Sequence, residues 1–172
     1  MSAITVDEGS QHDRNSIYLA TKRGRWIRNV RRQERAPDSM RAAERNCLSR
    51  FQDLKTRSLS ATYNCFGMVF ASRRTCILEG EVDKILVDDG YRRIAERSAI
   101  EVGDIVIYRK VPNQEITHAG VIITVHHLPA TAEIKLTLMS QWGADGEYIH
   151  LENEVPNEYG QHREYYTERR LP

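Results

Sequence analysis

Residues 103–125 read GDIVIYRKVPNQEITHAGVIITV and contain two apolar runs separated by a Pro-Asn-Gln turn. Each run has the length of a strand, and the short polar turn between them predicts an antiparallel pair. The stretch 134–139, IKLTLM, alternates apolar and polar side chains over most of its length and predicts a further strand. The second half of the chain therefore predicts an antiparallel sheet.

Upstream of residue 103 the apolar spacing is helical. An apolar run, Phe66–Ser72, follows Asn64, which is a favourable N-cap residue, and predicts a buried helix. Two further helices are predicted over Glu81–Asp88, ending at Gly90, and over Met40–Leu59, whereas residues 91–97 fit a short helix or a strand. Helices followed by strands predict an α+β fold rather than alternating β-α-β units.

Length and composition indicate one compact domain. The 172 residues are 40% hydrophobic and 28% charged, which is enough apolar side chain for one core. The longest strongly apolar window, Val121–Val125, has the length of a strand, so we expect a soluble protein without a membrane span. The segment Met1–Ser10 carries Asp7 and Glu8 and lacks a signal-peptide core, which predicts cytoplasmic synthesis.

The cysteine pattern argues against a disulfide framework and against a structural zinc site. Cys47, Cys65 and Cys76 are an odd number, form no Cys-x-x-Cys pair and have no histidine at zinc-ligand spacing. We therefore expect neither a disulfide framework nor a metal site, and no cofactor is indicated. At least one thiol stays free.

Charge divides the chain into two regions. Residues 22–57 hold 12 basic and four acidic residues, a net charge of +8, whereas residues 79–172 hold 10 basic and 17 acidic residues, a net charge of −7. The basic segment Lys22–Arg57 is consistent with a solvated helical surface, or with binding of an acidic protein or a nucleic acid. A third possibility is that it docks on the acidic region of its own chain or of a dimer partner.

Two residues in these elements have the chemistry of a nucleophile and its base. Cys65 begins a predicted helix, where unpaired N–H groups are expected to lower the pKa of a thiol. His118 begins the apolar strand, so its ring is expected at an edge of the sheet within reach of that helix. The structural alternative for Cys65 is a buried cysteine of an apolar helix.

The elements Tyr63-Asn64-Cys65-Phe66-Gly67, Gly103-Asp104-Ile105-Val106 and His118-Ala119-Gly120-Val121 occur in this order along residues 62–142. They resemble the NlpC-type and CHAP-type branches of the papain-like cysteine hydrolases. The resemblance implies a nucleophile helix packed on an antiparallel sheet, with Cys65 as the nucleophile and His118 as the general base. The basic N-terminal third lies outside it.

These families orient the imidazole with a third polar residue on the next strand. The resemblance places Ser140 or Gln141 there. Strand alternation favours Ser140, which shares a face with Leu136 and Leu138, whereas Gln141 is chemically the better partner for an imidazole; both remain candidates. The usual histidine or asparagine is absent from this position.

Further residues are expected to bind substrate or cover the site. The glycine-rich segment after Ser140 contains Trp142 and leads to His150, and its composition suits a covering loop. A packed C-terminal lid is the structural alternative. Tyr63 and Asn64, beside the nucleophile, are candidate donors to an oxyanion together with the Cys65 backbone N–H.

These observations predict a basic helical extension over residues 1–59 and an NlpC-like hydrolase domain over residues 60–172. The resemblance implies a thiol-dependent peptidase or amidase acting on peptidoglycan stem peptides or on a protein, and we expect the role of a toxin, effector or lysis protein delivered by a dedicated route. The alternative is a non-catalytic binding module that uses the same scaffold and the basic segment.

Overall fold

The computed structural model describes residues 15–129, 131 and 133–170. Its centre is an antiparallel sheet of seven strands in the order β2-β8-β7-β6-β5-β9-β4, and β1 and β3 form a separate antiparallel pair. The strands are β1 (Asn29–Val30), β2 (Lys55–Ser58), β3 (Cys76–Ile77), β4 (Arg92–Ile94), β5 (Ile105–Lys110), β6 (Glu115–Leu128), β7 (Glu133–Gln141), β8 (Glu147–Leu151) and β9 (His162–Thr167).

Within the described residues three α-helices accompany the sheet: α1 (Pro37–Arg50), α2 (Cys65–Phe70) and α3 (Val82–Asp88). Short 3-10 turns occupy Glu79–Glu81, Arg97–Ala99 and Asn157–Tyr159. The described chain is thus mixed α and β with a mostly antiparallel sheet, which confirms the α+β prediction. None of the described helices is long and apolar enough to cross a lipid bilayer.

The two faces of the sheet carry separate cores. Register pairs Ile107 with Ala119 and Tyr108 with His118, and neighbouring residues of a strand point to opposite faces. The Ile107 face packs against α2 and α3 through Cys65, Phe66, Val82, Ile85 and Leu86. The Tyr108 face packs with Val106, Ile122, Leu136, Leu138 and Val155.

The first 59 residues contribute to this sheet as well as preceding it. The predicted helix over residues 40–59 is too long, since α1 ends at Arg50 and Lys55–Ser58 pairs with β8 as an edge strand. Alternating Thr56 and Ser58 mark that strand, while the apolar spacing of α1 stops at Phe51. Cys47 and Leu54 form a third cluster with Trp142 and Tyr148.

Part of the basic segment docks on its own chain. The Arg25 guanidinium donates from Nε and Nη2 to the Asp88 carboxylate, each at 2.6 Å. Arg28 Nε donates to Glu81 at 2.7 Å, and Arg35 Nη1 lies 2.5 Å from Asp145. These contacts support the intramolecular interpretation. The segment used to judge an export signal, residues 1–10, lies outside the described residues.

Candidate active site

Asn64 fixes the start of α2 and ties it to β3. Its Oδ1 accepts from the backbone N–H groups of Gly67 at 2.9 Å and Ile77 at 3.1 Å, and its Nδ2 donates to the Ile77 carbonyl at 2.8 Å. Asn64 thus acts as the predicted N-cap and also pairs with β3 as a backbone amide would. Cys65 is the first residue of the helix.

Gly67 lets the helix approach the strand that follows it. A Cβ at this position would lie 1.7 Å from the Thr75 carbonyl oxygen, far inside van der Waals contact. Glycine is therefore required by the close passage of α2 and the backbone before β3.

The Cys65 thiol lies inside the protein. The residue is 6% exposed, and the Ala119 backbone N–H of β6 donates toward its sulfur. Burial raises the pKa of the thiol to about 12. The expected lowering of this pKa is therefore wrong for this conformation, because α2 has only six residues and the burial of its first residue outweighs the helix-end amides.

His118 lies three residues inside β6, and its side chain is fully buried. The expectation that it begins the strand at a sheet edge is wrong, since pairing with β5 starts at Glu115 and β6 is a central strand. Its ring stacks on Tyr159, with centroids 4.0 Å apart and planes 2° from parallel. Burial holds the pKa of His118 well below its usual value, with His150 acting in the same direction.

The Cys65 thiol contacts β6 at Ala119, the residue that follows His118. The β6–β7 ladder begins at the Val121–Met139 pair, and the thiol reaches the Ala119 N–H on the preceding part of β6. Strand alternation sends the His118 ring to the opposite face, beside Tyr108. The His118 Nδ1 is buried and has no hydrogen-bond partner among the described residues, and no Cys65–His118 hydrogen bond is formed.

Ser140, and not Gln141, contacts the imidazole. Ser140 Oγ lies 3.0 Å from His118 Nε2, whereas Gln141 Nε2 donates to the carbonyls of Ser60 at 2.7 Å and Gly143 at 3.1 Å. Ser140 shares the sheet face of Leu136 and Leu138 with the His118 ring, and this face is opposite the one that packs against α2. The Gln141 alternative is wrong, because its side chain binds the carbonyls of other residues.

Trp142 and His150 are interior residues rather than parts of a covering loop. The Gly143–Gly146 segment is a tight turn from β7 to β8, closed by Trp142 N–H donating to the Gly146 carbonyl at 2.8 Å. His150 therefore lies on β8, where it is 1% exposed and opposite Leu138. Trp142 Nε1 lies 3.1 Å from Ser140 Oγ, and His150 Nε2 lies 2.7 Å from the same oxygen.

Tyr63 and Asn64 have structural partners in this conformation. The Tyr63 hydroxyl donates to the fully buried Glu147 carboxylate at 3.0 Å, and Arg73 donates to the same carboxylate from Nε at 2.8 Å and Nη2 at 3.0 Å. Asn64 is engaged with Gly67 and Ile77. Both side chains thus position α2.

Tyr159 lies against His118, although the sequence indicated no role in the site beyond a packed C-terminal lid. Thr117 Oγ1 donates to the Tyr159 carbonyl at 2.5 Å, which holds the ring against His118. Burial raises the pKa of Tyr159, and the Cys65 thiol acts in the same direction. Tyr159 therefore covers one face of the His118 ring.

No three metal-ligating side chains converge within residues 15–129, 131 and 133–170. No protein-family model matches the chain, and no curated protein or solved structure is significantly similar to it.

Proposed function

We propose that the protein is a thiol-dependent hydrolase of amide or peptide bonds with a papain-like arrangement of helix and sheet. The single observation that carries the proposal is the buried, unpartnered Nδ1 of His118, one residue along β6 from the Ala119 N–H that faces the Cys65 sulfur. A buried imidazole nitrogen without a partner lowers the stability of the folded state, and a catalytic role is one explanation for keeping such a group. Its other nitrogen is held by Ser140.

In the proposed reaction the Cys65 Sγ–H gives its proton to His118 Nδ1 as the sulfur attacks the substrate carbonyl carbon. The resulting oxyanion accepts from the Cys65 backbone N–H. Collapse breaks the C–N bond, and the leaving amine takes the proton from Nδ1. Water then gives a proton to Nδ1 and attacks the thioester, which releases the acid and restores the Cys65 thiol.

The resting site is a neutral pair. Burial raises the pKa of Cys65 to about 12 and lowers that of His118, so a preformed thiolate and imidazolium are disfavoured. Proton transfer would accompany attack, and the thiol and Nδ1 must first come within hydrogen-bond reach, as catalytic pairs often do only in the substrate complex. Tyr159 lies over His118, so displacement of the residues around it is part of the proposal.

The proposed substrate is a peptide-like amide, either a peptidoglycan stem peptide or a protein, and the proposed biological role is that of a toxin, effector or lysis protein. This part rests on the resemblance of the three sequence elements around Cys65, Asp104 and His118.

A small acyl donor tests the chemistry without knowledge of the natural substrate. With p-nitrophenyl acetate we expect a burst of p-nitrophenolate and an acetyl group on the peptide containing Cys65, seen by mass spectrometry. Cys65→Ala should abolish the burst, and His118→Gln should slow it by about 100-fold or more, as loss of a general base does.

Cys47→Ala and Cys76→Ala are matched controls, because both residues are buried thiols outside the proposed pair. Acetylation spread equally over the three cysteines, or a burst unaffected by His118→Gln, would refute the hydrolase. Digestion of purified peptidoglycan, with released stem peptides measured by mass spectrometry, separates the two substrate classes.

The alternative function is binding of an acidic partner or nucleic acid through exposed arginines of the basic segment. Arg31, Arg32, Arg45 and Arg57 are exposed and form no ion pair within the described ranges. Such binding would weaken as salt rises, and an affinity independent of salt would exclude it.

A further inference from the structure

Ser140 is the centre of a buried chain of polar side chains. Its Oγ lies within hydrogen-bond distance of three nitrogens: His118 Nε2 at 3.0 Å, His150 Nε2 at 2.7 Å and Trp142 Nε1 at 3.1 Å. Ser140 and His118 are fully buried and His150 is 1% exposed, so water is excluded from these contacts. A serine hydroxyl donates one hydrogen bond and accepts up to two.

At β8 the hydrogen-bond network ends at a group whose role is certain. His150 Nδ1 lies 2.7 Å from the Leu151 carbonyl oxygen, which can only accept, so Nδ1 carries the proton. Burial lowers the pKa of His150 to about 4, so the ring is neutral near pH 7 and its Nε2 has a lone pair. The Ser140 hydroxyl must therefore donate to His150 Nε2.

The remaining contacts follow from the single hydrogen of Ser140. The Trp142 indole N–H can only donate, so Ser140 Oγ accepts from it. Because the hydroxyl hydrogen is already given to His150, Ser140 Oγ can only accept from His118 as well. His118 Nε2 therefore carries the proton, and its Nδ1 has the lone pair.

We propose that His150 is a positioning residue that acts through Ser140 to hold His118 as the Nε2–H tautomer, which leaves the lone pair on Nδ1. Hydrogen-bond donation then runs from His118 to Ser140, from Ser140 to His150, and from His150 to the Leu151 carbonyl. This inference rests on the proposed function for its consequence, since only a hydrolase needs Nδ1 as a base. The tautomer itself does not depend on that function.

Substitution of His150 separates direction from packing. In His150→Gln the side-chain Oε1 can still accept from Ser140, so the direction is kept. In His150→Leu no acceptor remains, and the Ser140 hydroxyl is free to donate to His118 Nε2. That contact favours the Nδ1–H tautomer, which cannot take the thiol proton.

Two-dimensional ¹H–¹⁵N spectra of the ¹⁵N-histidine-labelled protein at pH 7 distinguish the two tautomers directly, with the His118 signals identified by their loss in His118→Gln. We expect the Nε2–H form in the wild type and in His150→Gln, and conversion toward Nδ1–H in His150→Leu. An Nδ1–H form in the wild type overturns the proposal, and the tautomer is read on the wild-type protein itself, with His118→Gln used only to assign the signals. An unchanged Nε2–H form in folded His150→Leu also overturns it.

Activity gives a separate readout. The p-nitrophenyl acetate burst should slow by about 100-fold in His150→Leu, within the range for loss of a positioned base, and should stay within a few-fold of the wild type in His150→Gln. The expected tautomers without any burst would refute the hydrolase and leave the positioning network standing. A burst with His118 in the Nδ1–H form would refute the positioning network and Nδ1 as the base, and would leave acyl transfer to Cys65 standing.

Discussion

Among the histidines that the structure describes, His118 and His150 are buried, and each is held neutral by its surroundings. Burial lowers the pKa of His150 to about 4 and holds that of His118 well below its usual value. Burying the two neutral rings removes their nitrogens from water, and hydrogen bonds with Ser140 and the Leu151 carbonyl compensate three of the four nitrogens. The fourth, His118 Nδ1, is the exception that motivates the proposed chemistry.

These histidines predict acid sensitivity between pH 7 and pH 5. An unfolded histidine gains a proton below a pKa of 6.5, whereas folded His150 stays neutral to about pH 4. The unfolded state therefore binds more protons, and the free energy of unfolding falls as pH falls, by about 2 kcal/mol from His150 alone at pH 5. His118 acts in the same direction.

Urea unfolding at pH 7, 6 and 5 measures this change. His150→Gln should reduce the loss, whereas His126→Gln, at an exposed position, should not. The lowered pKa values of Asp88, Glu81 and Glu164 start from 3.8 to 4.5, so these carboxylates titrate below the interval. A free energy of unfolding that stays constant from pH 7 to pH 5 would contradict the assignment of neutral buried histidines.

At the scale of elements, α2 depends on contacts with β3 more than on its own length. A six-residue helix is too short to be stable by itself. Asn64 makes three hydrogen bonds to Gly67 and Ile77, and Gly67 allows the backbone at Thr75 to pass closely. The position of Cys65 is thus fixed by the residues on both sides of it.

Asn64→Ala should lower the free energy of unfolding by about 2–3 kcal/mol, because it removes an N-cap and leaves the Ile77 N–H and carbonyl without their partner. Chemical denaturation followed by tryptophan fluorescence measures the loss. Asn46→Ala is the matched control, since Asn46 is exposed on α1. Equal effects of the two substitutions would show that the pairing of Asn64 with β3 is unimportant.

At the scale of the whole molecule, the positive and negative regions partly neutralise each other. Arg25, Arg28 and Arg35 of the basic segment contact Asp88, Glu81 and Asp145 of the acidic region. Thr21 Oγ1 also donates to Asp88 at 2.7 Å. The segment before α1 is therefore attached to α3 and to the β7–β8 turn.

Asp88→Asn should loosen this attachment. The Asp88 carboxylate accepts two charge-assisted hydrogen bonds from Arg25, which also lowers the pKa of Asp88, whereas a neutral amide binds the Arg25 guanidinium more weakly. We expect trypsin to cleave several-fold faster after Arg23, Arg25 and Arg28, as followed by mass spectrometry. Asp38→Asn is the control, because its pair with Arg41 is on the surface. Equal cleavage rates in the wild type and Asp88→Asn would show that Asp88 does not hold the segment.

N-capping and apolar periodicity are local properties, so they were enough to predict the α+β class, the start of α2 at Cys65 and the strands β5 to β7. The same patterns named Cys65, His118 and Ser140 as candidate site residues. Long-range packing was needed to show that Ser140 rather than Gln141 contacts His118, that His150 lies on β8 within reach of Ser140, and that Tyr159 covers the ring. Those outcomes depend on strand register and on which face each residue occupies. Burial, which is also a tertiary property, raises the pKa of Cys65, whereas its position at the start of a helix predicts a lowered pKa.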